Sequence, residues 1–158
     1  MSKKVLIIQT AFLGDVILTL PIVQVLKKEN PDWQINFLCI PATEILFNHN
    51  PLVDKLIVYD KRGGDSFRRI KKEVKNNYDI VISPHRSMRS SLIAFFSKAK
   101  TRITFDKTSQ SFLYTDKLKY VTGIHEIQRN LSILKTLKIE EGSNIKPEFY
   151  LSIDEENK

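Results

Sequence analysis

The sequence predicts an α/β domain, a Rossmann-like parallel sheet with helices on both faces, and three features carry that expectation. Short apolar runs alternate with helical segments along the chain, the pattern of strands joined by crossover helices. The first run, Val5–Ile8, is apolar at every position and bounded by charged and turn residues, as a strand covered on both faces requires. At 158 residues the chain has the size of one domain, long enough to bury roughly two thirds of its unfolded surface without disulfides or metals.

The elements follow in order. After Val5–Ile8 comes the turn Gln9-Thr10-Ala11-Phe12-Leu13-Gly14-Asp15, where Gly14 is expected to let the backbone bend and Asp15 to stand at the mouth of a strand-to-helix turn. Val16–Leu26 is apolar at nearly every position. It reads as a helix buried on more than one side, kinked or broken at Pro21 and stopped by Asn30-Pro31. Gln34–Ile40 reads as a strand, Ala42–Asn48 as a short helix, Lys55–Tyr59 as a strand, Ser66–Asn76 as a helix and Asp79–Ser83 as a strand. Ser87–Lys98 as a helix, Thr101–Phe105 as a strand, a polar loop, Lys117–Val121 as a strand and His125–Leu137 as a helix complete the series. Lys146–Ile153 alternates like a last strand or a crossover.

Composition narrows the function. Cys39 is the only cysteine and sits in an apolar run, which excludes a disulfide framework or thiolate cluster and fits a buried thiol in a reducing compartment. No apolar stretch approaches the ~18–20 residues of a membrane span, so a cytoplasmic protein is expected. The formal charge of +7 favours anionic partners: nucleic acid, phosphorylated glycans or an acidic membrane face. Nucleic acid is disfavoured, because neither a base-stacking strand motif nor a helix-turn-helix is present. Gly14 stands alone in the first turn, so the glycine-rich fingerprints of dinucleotide and P-loop sites are missing. The three histidines show no metal-ligand spacing, and neither metal nor cofactor is expected.

In an open parallel sheet the strand carboxyl ends share one edge, where ligands bind. The turns on that edge carry Thr10–Asp15, Pro41, Asp60-Lys61-Arg62, Pro84-His85-Arg86-Ser87, Asp106-Lys107 and Thr122–His125, a basic rim around one carboxylate. Asp15 in a first helical turn either caps free amides or accepts a proton from a hydroxyl. Arg86 and Arg89, three apart at a helix start, form an anion site or a solvated turn. His85 is either structural or a ligand contact. His125 and Arg129 share a helix face, as a surface pair or a site. In the basic run Lys61–Lys72, Phe67 and Ile70 begin a narrow apolar stripe that ends at Val74. That pattern fits a helix with a solvated basic back, or a surface that meets anionic lipid head groups.

Phe12-Leu13-Gly14-Asp15-Val16-Ile17-Leu18-Thr19-Leu20-Pro21, straight after an N-terminal strand, resembles the opening motif of the family 9 glycosyltransferases, the ADP-heptose:lipopolysaccharide heptosyltransferases. Tyr78–Ser91 and His125–Leu131 resemble that family's later N-terminal segments. The resemblance implies that residues 1–158 form the N-terminal, acceptor-binding half of a GT-B fold, with the donor-binding half missing and the fragment inactive alone. It implies inverting transfer of heptose from ADP-heptose to a lipopolysaccharide core or lipid A-type acceptor, with Asp15 as general base and no metal. Thr10, Gly14, Arg62, His85, Arg86, Ser87, Arg89, Lys107, His125 and Arg129 are then the candidate acceptor contacts. The implied partners are a nucleotide-sugar donor, an anionic glycolipid acceptor and, peripherally, the inner face of the inner membrane. A second copy of the fragment is a further expected partner, through an apolar helix left bare. Gln9 and Ala11 stand where many members carry arginine and serine. A different class of reading is a non-catalytic module that binds phosphorylated ligands on the same edge.

Overall fold

The computed structural model describes residues 2–140 and 144–150. Its strands are β1 (Lys4–Ile8), β2 (Gln34–Cys39), β3 (Lys55–Val58), β4 (Ile80–Ile82), β5 (Thr101–Phe105) and β6 (Asp116–Leu118). All pairs are parallel, in the order β3-β2-β1-β4-β5-β6. β1 is central, with Val5–Ile7 opposite Ile35–Phe37 on one side and Ile80–Ile82 on the other. Its unbroken apolar run has a direct cause. Val5 and Ile7 enter one core, whereas Leu6 and Ile8 enter the core on the opposite face, so neither side of the strand meets water. The strand order reverses between β1 and β4, which opens a crevice at their carboxyl ends.

The helices are α1 (Leu13–Ile17), α2 (Leu20–Glu29), α3 (Ser66–Val74), α4 (Met88–Phe96) and α5 (Glu126–Ser132). The expected helix Val16–Leu26 is two helices, and the break falls at Leu18 and Thr19, ahead of Pro21. Proline belongs in a first turn, where its missing N–H leaves no helical bond unmade, so α2 restarts just before it. The apolar surface of α2, expected to be left bare, is covered within the chain: Leu20, Ile22, Val23, Val25 and Leu26 pack in the same core as Leu131 of α5.

Other boundaries also move. Residues 41–47 form a 3-10 turn, and α5 tightens into 3-10 geometry over Ile133–Leu137. β6 ends at Leu118 rather than Val121, which leaves Tyr120 beyond the carboxyl edge. Residues 144–150 contain no strand. That segment lies along α2 instead: Gln24 Nε2 donates to the Lys146 carbonyl at 2.9 Å, and its Oε1 accepts from the Glu148 N–H at 3.1 Å. The remainder of the element expected over 146–153 lies outside the described residues. Cys39 is fully buried, and burial pushes its thiol up to about 11, which makes it an inert core residue. Among the described residues, no helix is long and apolar enough to cross a membrane.

Candidate active site

The first wall of the site is the turn after β1, and its own side chains hold it. Gln9 is buried; its Oε1 accepts from the Ala11 N–H at 3.2 Å and its Nε2 donates to Thr19 Oγ1 at 3.0 Å. Thr19 Oγ1 in turn donates to the Asp15 carbonyl at 2.8 Å. One glutamine thereby ties the end of β1 to both ends of α1. α1 begins at Leu13 behind an extended Phe12 with no side-chain cap, so Asp15 lies in the first turn but caps nothing. Its side chain is exposed and has no hydrogen-bond or ion-pair partner among the described residues. Gly14 is helical with no positive φ, and a Cβ there would meet nothing within 4 Å. The bend therefore does not need glycine, contrary to the sequence expectation; the extended Phe12 makes the turn.

The second wall is organised by Tyr120. Its ring packs edge-on against Phe105 with centroids 5.6 Å apart, and its N–H donates to Asp106 Oδ1 at 2.9 Å. Three cations gather over this ring: Arg129 at 4.4 Å, Arg86 at 4.7 Å and Lys107 at 5.8 Å from the centroid. Arg129 is buried and spent on structure, paired with Glu126 and donating to the Val121 carbonyl at 2.8 Å. Arg86 and Lys107 have no carboxylate partner among the described residues. They are steered by the aromatic face and left available.

Between the walls lies an open cleft of about 1320 Å³. Asp15, Thr10, Arg62, His85, Arg86 and Lys107 line it as the sequence predicts. Thr10 is buried, with its hydroxyl 3.2 Å from Ser90 Oγ, and its carbonyl accepts from Lys61 Nζ at 2.7 Å. Burial, and then the Arg89 charge, lower the Lys61 pKa. His85 is lowered mainly by burial and next by Lys61; the Asp15 charge opposes the shift and Arg86 adds to it. The imidazole thus feels both walls.

The other expected residues do not line the cleft. Ser87 caps α4, accepting from the Ser90 N–H at 3.1 Å and donating to Ser90 Oγ at 2.9 Å. His125 caps α5 through Nδ1, which accepts from the Ile127 N–H at 3.2 Å. Arg129 turns towards Tyr120 and Glu126, so the expected His125–Arg129 pair is not formed. Gly14 and Arg89 lie beside the cleft rather than in its lining. Sequence reasoning missed Tyr120 as a cleft residue, and it placed Lys61 and the exposed Phe12 on the ligand edge without giving either a contact. The one usable signal for Tyr120 was an aromatic beside a strand end on the ligand edge. Among the described residues, no three His, Cys, Asp or Glu side chains gather as a metal site.

Comparison with known proteins adds family context. The profile of glycosyltransferase family 9 (heptosyltransferase) matches residues 67–158. Lipopolysaccharide heptosyltransferase 3 of Escherichia coli is 29% identical over 140 residues, covering 80% of this chain and 40% of the relative. Lipopolysaccharide heptosyltransferase 1 of Campylobacter coli is 30% identical over 123 residues, covering 73% of this chain and 36% of the relative. A family 9 glycosyltransferase structure from Veillonella parvula superposes with a TM-score of 0.83 at 25% identity, over 96% of this chain and 46% of that one. An Escherichia coli heptosyltransferase crystallised with ADP-2-deoxy-2-fluoro heptose gives a TM-score of 0.77 at 18% identity, over 90% of this chain and 51% of that one. The sheet is thus the α/β half of a GT-B architecture. The chain spans about 40% of the length of the curated relatives it matches.

Proposed function

The chain belongs to glycosyltransferase family 9, and from that premise we propose that it is the acceptor-binding half of a heptosyltransferase-like enzyme with Asp15 as its general base. The acceptor is an anionic, lipopolysaccharide-type glycolipid. The donor is a nucleotide sugar of the ADP-heptose kind, held chiefly by a second α/β domain across the cleft, as expected for relatives more than twice as long as this chain.

The observation that carries this reading is a carboxylate without a partner opposite cations without partners. In the transfer, an acceptor hydroxyl seated between the walls loses its proton to Asp15 as its oxygen attacks the anomeric carbon. The bond from that carbon to the diphosphate oxygen breaks on the opposite face, inverting the configuration, and the nucleoside diphosphate leaves with its electron pair. The proton need only move late, as the hydroxyl oxygen becomes acidic, so a carboxylate can serve as the acceptor. Arg86 and Lys107 hold phosphate or carboxylate groups of the acceptor as charge-assisted donors, and Lys61 and Arg62 extend the same potential around the rim.

Asp15→Asn in the longest natural polypeptide carrying these residues tests the reading. It should lower transfer by about 10²–10⁴-fold, with acceptor binding and melting temperature unchanged. Turnover at the original rate would sink the assignment of Asp15.

A further inference from the structure

The face of the molecule formed by α3 and α4 has a character that the cleft does not explain. Met88, Leu92 and Phe95 recur at the i, i+4 and i+7 positions of α4, one face of the helix. Met88 is 54% exposed and Phe95 44%. Beside them the 3-10 turn Ser111–Leu113 packs on α4, anchored by the Ser91 hydroxyl donating to the Ser109 carbonyl at 2.6 Å, and it presents Phe112 at 75% exposure. Scattered exposed apolar residues are ordinary, whereas Met88, Phe95 and Phe112, with the half-buried Leu92 between the first two, stand on adjoining elements and form a ridge.

A cationic strip runs along this ridge. α3 turns Ile70 and Val74 into the core and leaves Arg68, Lys71 and Lys72 exposed. None of these three has a carboxylate partner among the described residues; Glu73 takes Lys55 and Arg69 instead. The two strips form one surface: Lys71 Nζ lies 4.0 Å from the centre of the Phe96 ring, which packs against Phe95 and Phe67 at 5.6 and 6.2 Å.

We propose that the α3–α4 face is a membrane-docking surface, with Met88, Leu92, Phe95 and Phe112 entering the headgroup layer of an anionic bilayer while Arg68, Lys71 and Lys72 pair with its phosphates. Charge complementarity selects this occupant. A chain of formal charge +7 with a cationic rim on this face repels a second copy of itself, and long flexible cations beside the apolar residues suit lipid phosphates. Basic side chains beside exposed aromatics match the requirements of an interfacial surface. α4 starts at Met88, two residues after the cleft residue Arg86, so docking holds the cleft mouth close to the lipid surface. This inference concerns a surface outside the cleft, and vesicle binding needs no catalysis, so it fails or stands separately from the role of Asp15.

The test is co-sedimentation of this chain with vesicles of mixed phosphatidylglycerol and phosphatidylcholine, and with vesicles of phosphatidylcholine alone. The chain should bind the mixed vesicles and not the neutral ones. A Phe95→Ser, Phe112→Ser double variant and an Arg68→Glu, Lys72→Glu double variant should each lose more than about tenfold in affinity, with unchanged circular dichroism. Lys28→Glu with Lys135→Glu changes net charge equally on the opposite face and should lose less than about threefold. Equal losses from both charge-reversed pairs, or undiminished binding by the serine variant, would overturn the proposal. A concentration-dependent dimer in light scattering that the serine variant abolishes would do the same.

Discussion

The two walls of the cleft are built by opposite means. The wall after β1 is local: Gln9, Ala11, Asp15 and Thr19 lie within one short stretch, and hydrogen bonds between them fix the turn. The facing wall is assembled from distant loops, with Arg86, Lys107 and Arg129 meeting over Tyr120. The first wall positions a carboxylate by constraining backbone. The second positions cations by giving them an aromatic face and, for Arg86 and Lys107, leaves the charge without a carboxylate partner among the described residues. Under the proposed function, a site that orients one proton acceptor and also accommodates an anion of variable outline gains from a rigid wall opposite an adaptable one.

Breaking each wall should produce a different signature. The largest effect is on the rigid side, where Asp15→Asn removes transfer without disturbing the fold. Next comes Tyr120→Ala, which removes the packing on Phe105 and the platform for the cations. It should cost about 2–3 kcal/mol in chemical denaturation and weaken binding of inorganic phosphate measured by calorimetry. Tyr120→Phe keeps the ring face and should stay within about 0.5 kcal/mol of the parent, since the hydroxyl makes no hydrogen bond among the described residues. Equal losses from both variants would mean that the ring face is not what organises this wall.

The same contrast explains what could be read from the sequence. The parallel sheet was legible because its central strands are built around short apolar runs, the polar edge strand β6 being the exception, and Asp15 was legible because its motif is contiguous. Tyr120 was assigned to a strand that ends two residues before it, since alternation in Lys117–Val121 continues past the last ladder bond. Arg129 and Ser87 were named as candidate acceptor contacts from the family resemblance. Their partners within the chain, the Val121 carbonyl and the Ser90 N–H, are set by loop conformation and cap geometry, which composition does not report. Gln9 was seen only as a departure from the family pattern, although it is the residue that ties the turn together.

Gln9→Ala therefore probes the rigid wall without touching its carboxylate. It leaves the Ala11 N–H without its side-chain partner and takes from the buried Thr19 hydroxyl its donor, which should cost about 1–2 kcal/mol of stability. If the turn positions Asp15, transfer by the polypeptide that carries the second domain should fall by about ten- to a hundredfold, with KM for acceptor little changed. A KM effect alone would show that Gln9 serves binding and not the placement of the base.

His85 reports on both walls at once and should give the smallest effect. Its folded pKa lies below the ordinary value of 6.5, from burial first and then Lys61. Between those two values the unfolded chain holds the proton and the folded chain does not. The stability contribution is therefore complete above about pH 6.5 and is lost as pH falls through the folded value. Urea unfolding measured from about pH 7.5 down to 5 should show this loss, and His85→Gln should flatten it. The opposing influence of Asp15 sharpens the point. In Asp15→Asn the charge that raises the imidazole is gone while Lys61 and Arg86 remain, so the His85 resonance in an NMR titration should move to a lower pKa. An unchanged titration would mean that the Asp15 charge does not reach across the cleft, and that the two walls act on their ligands independently.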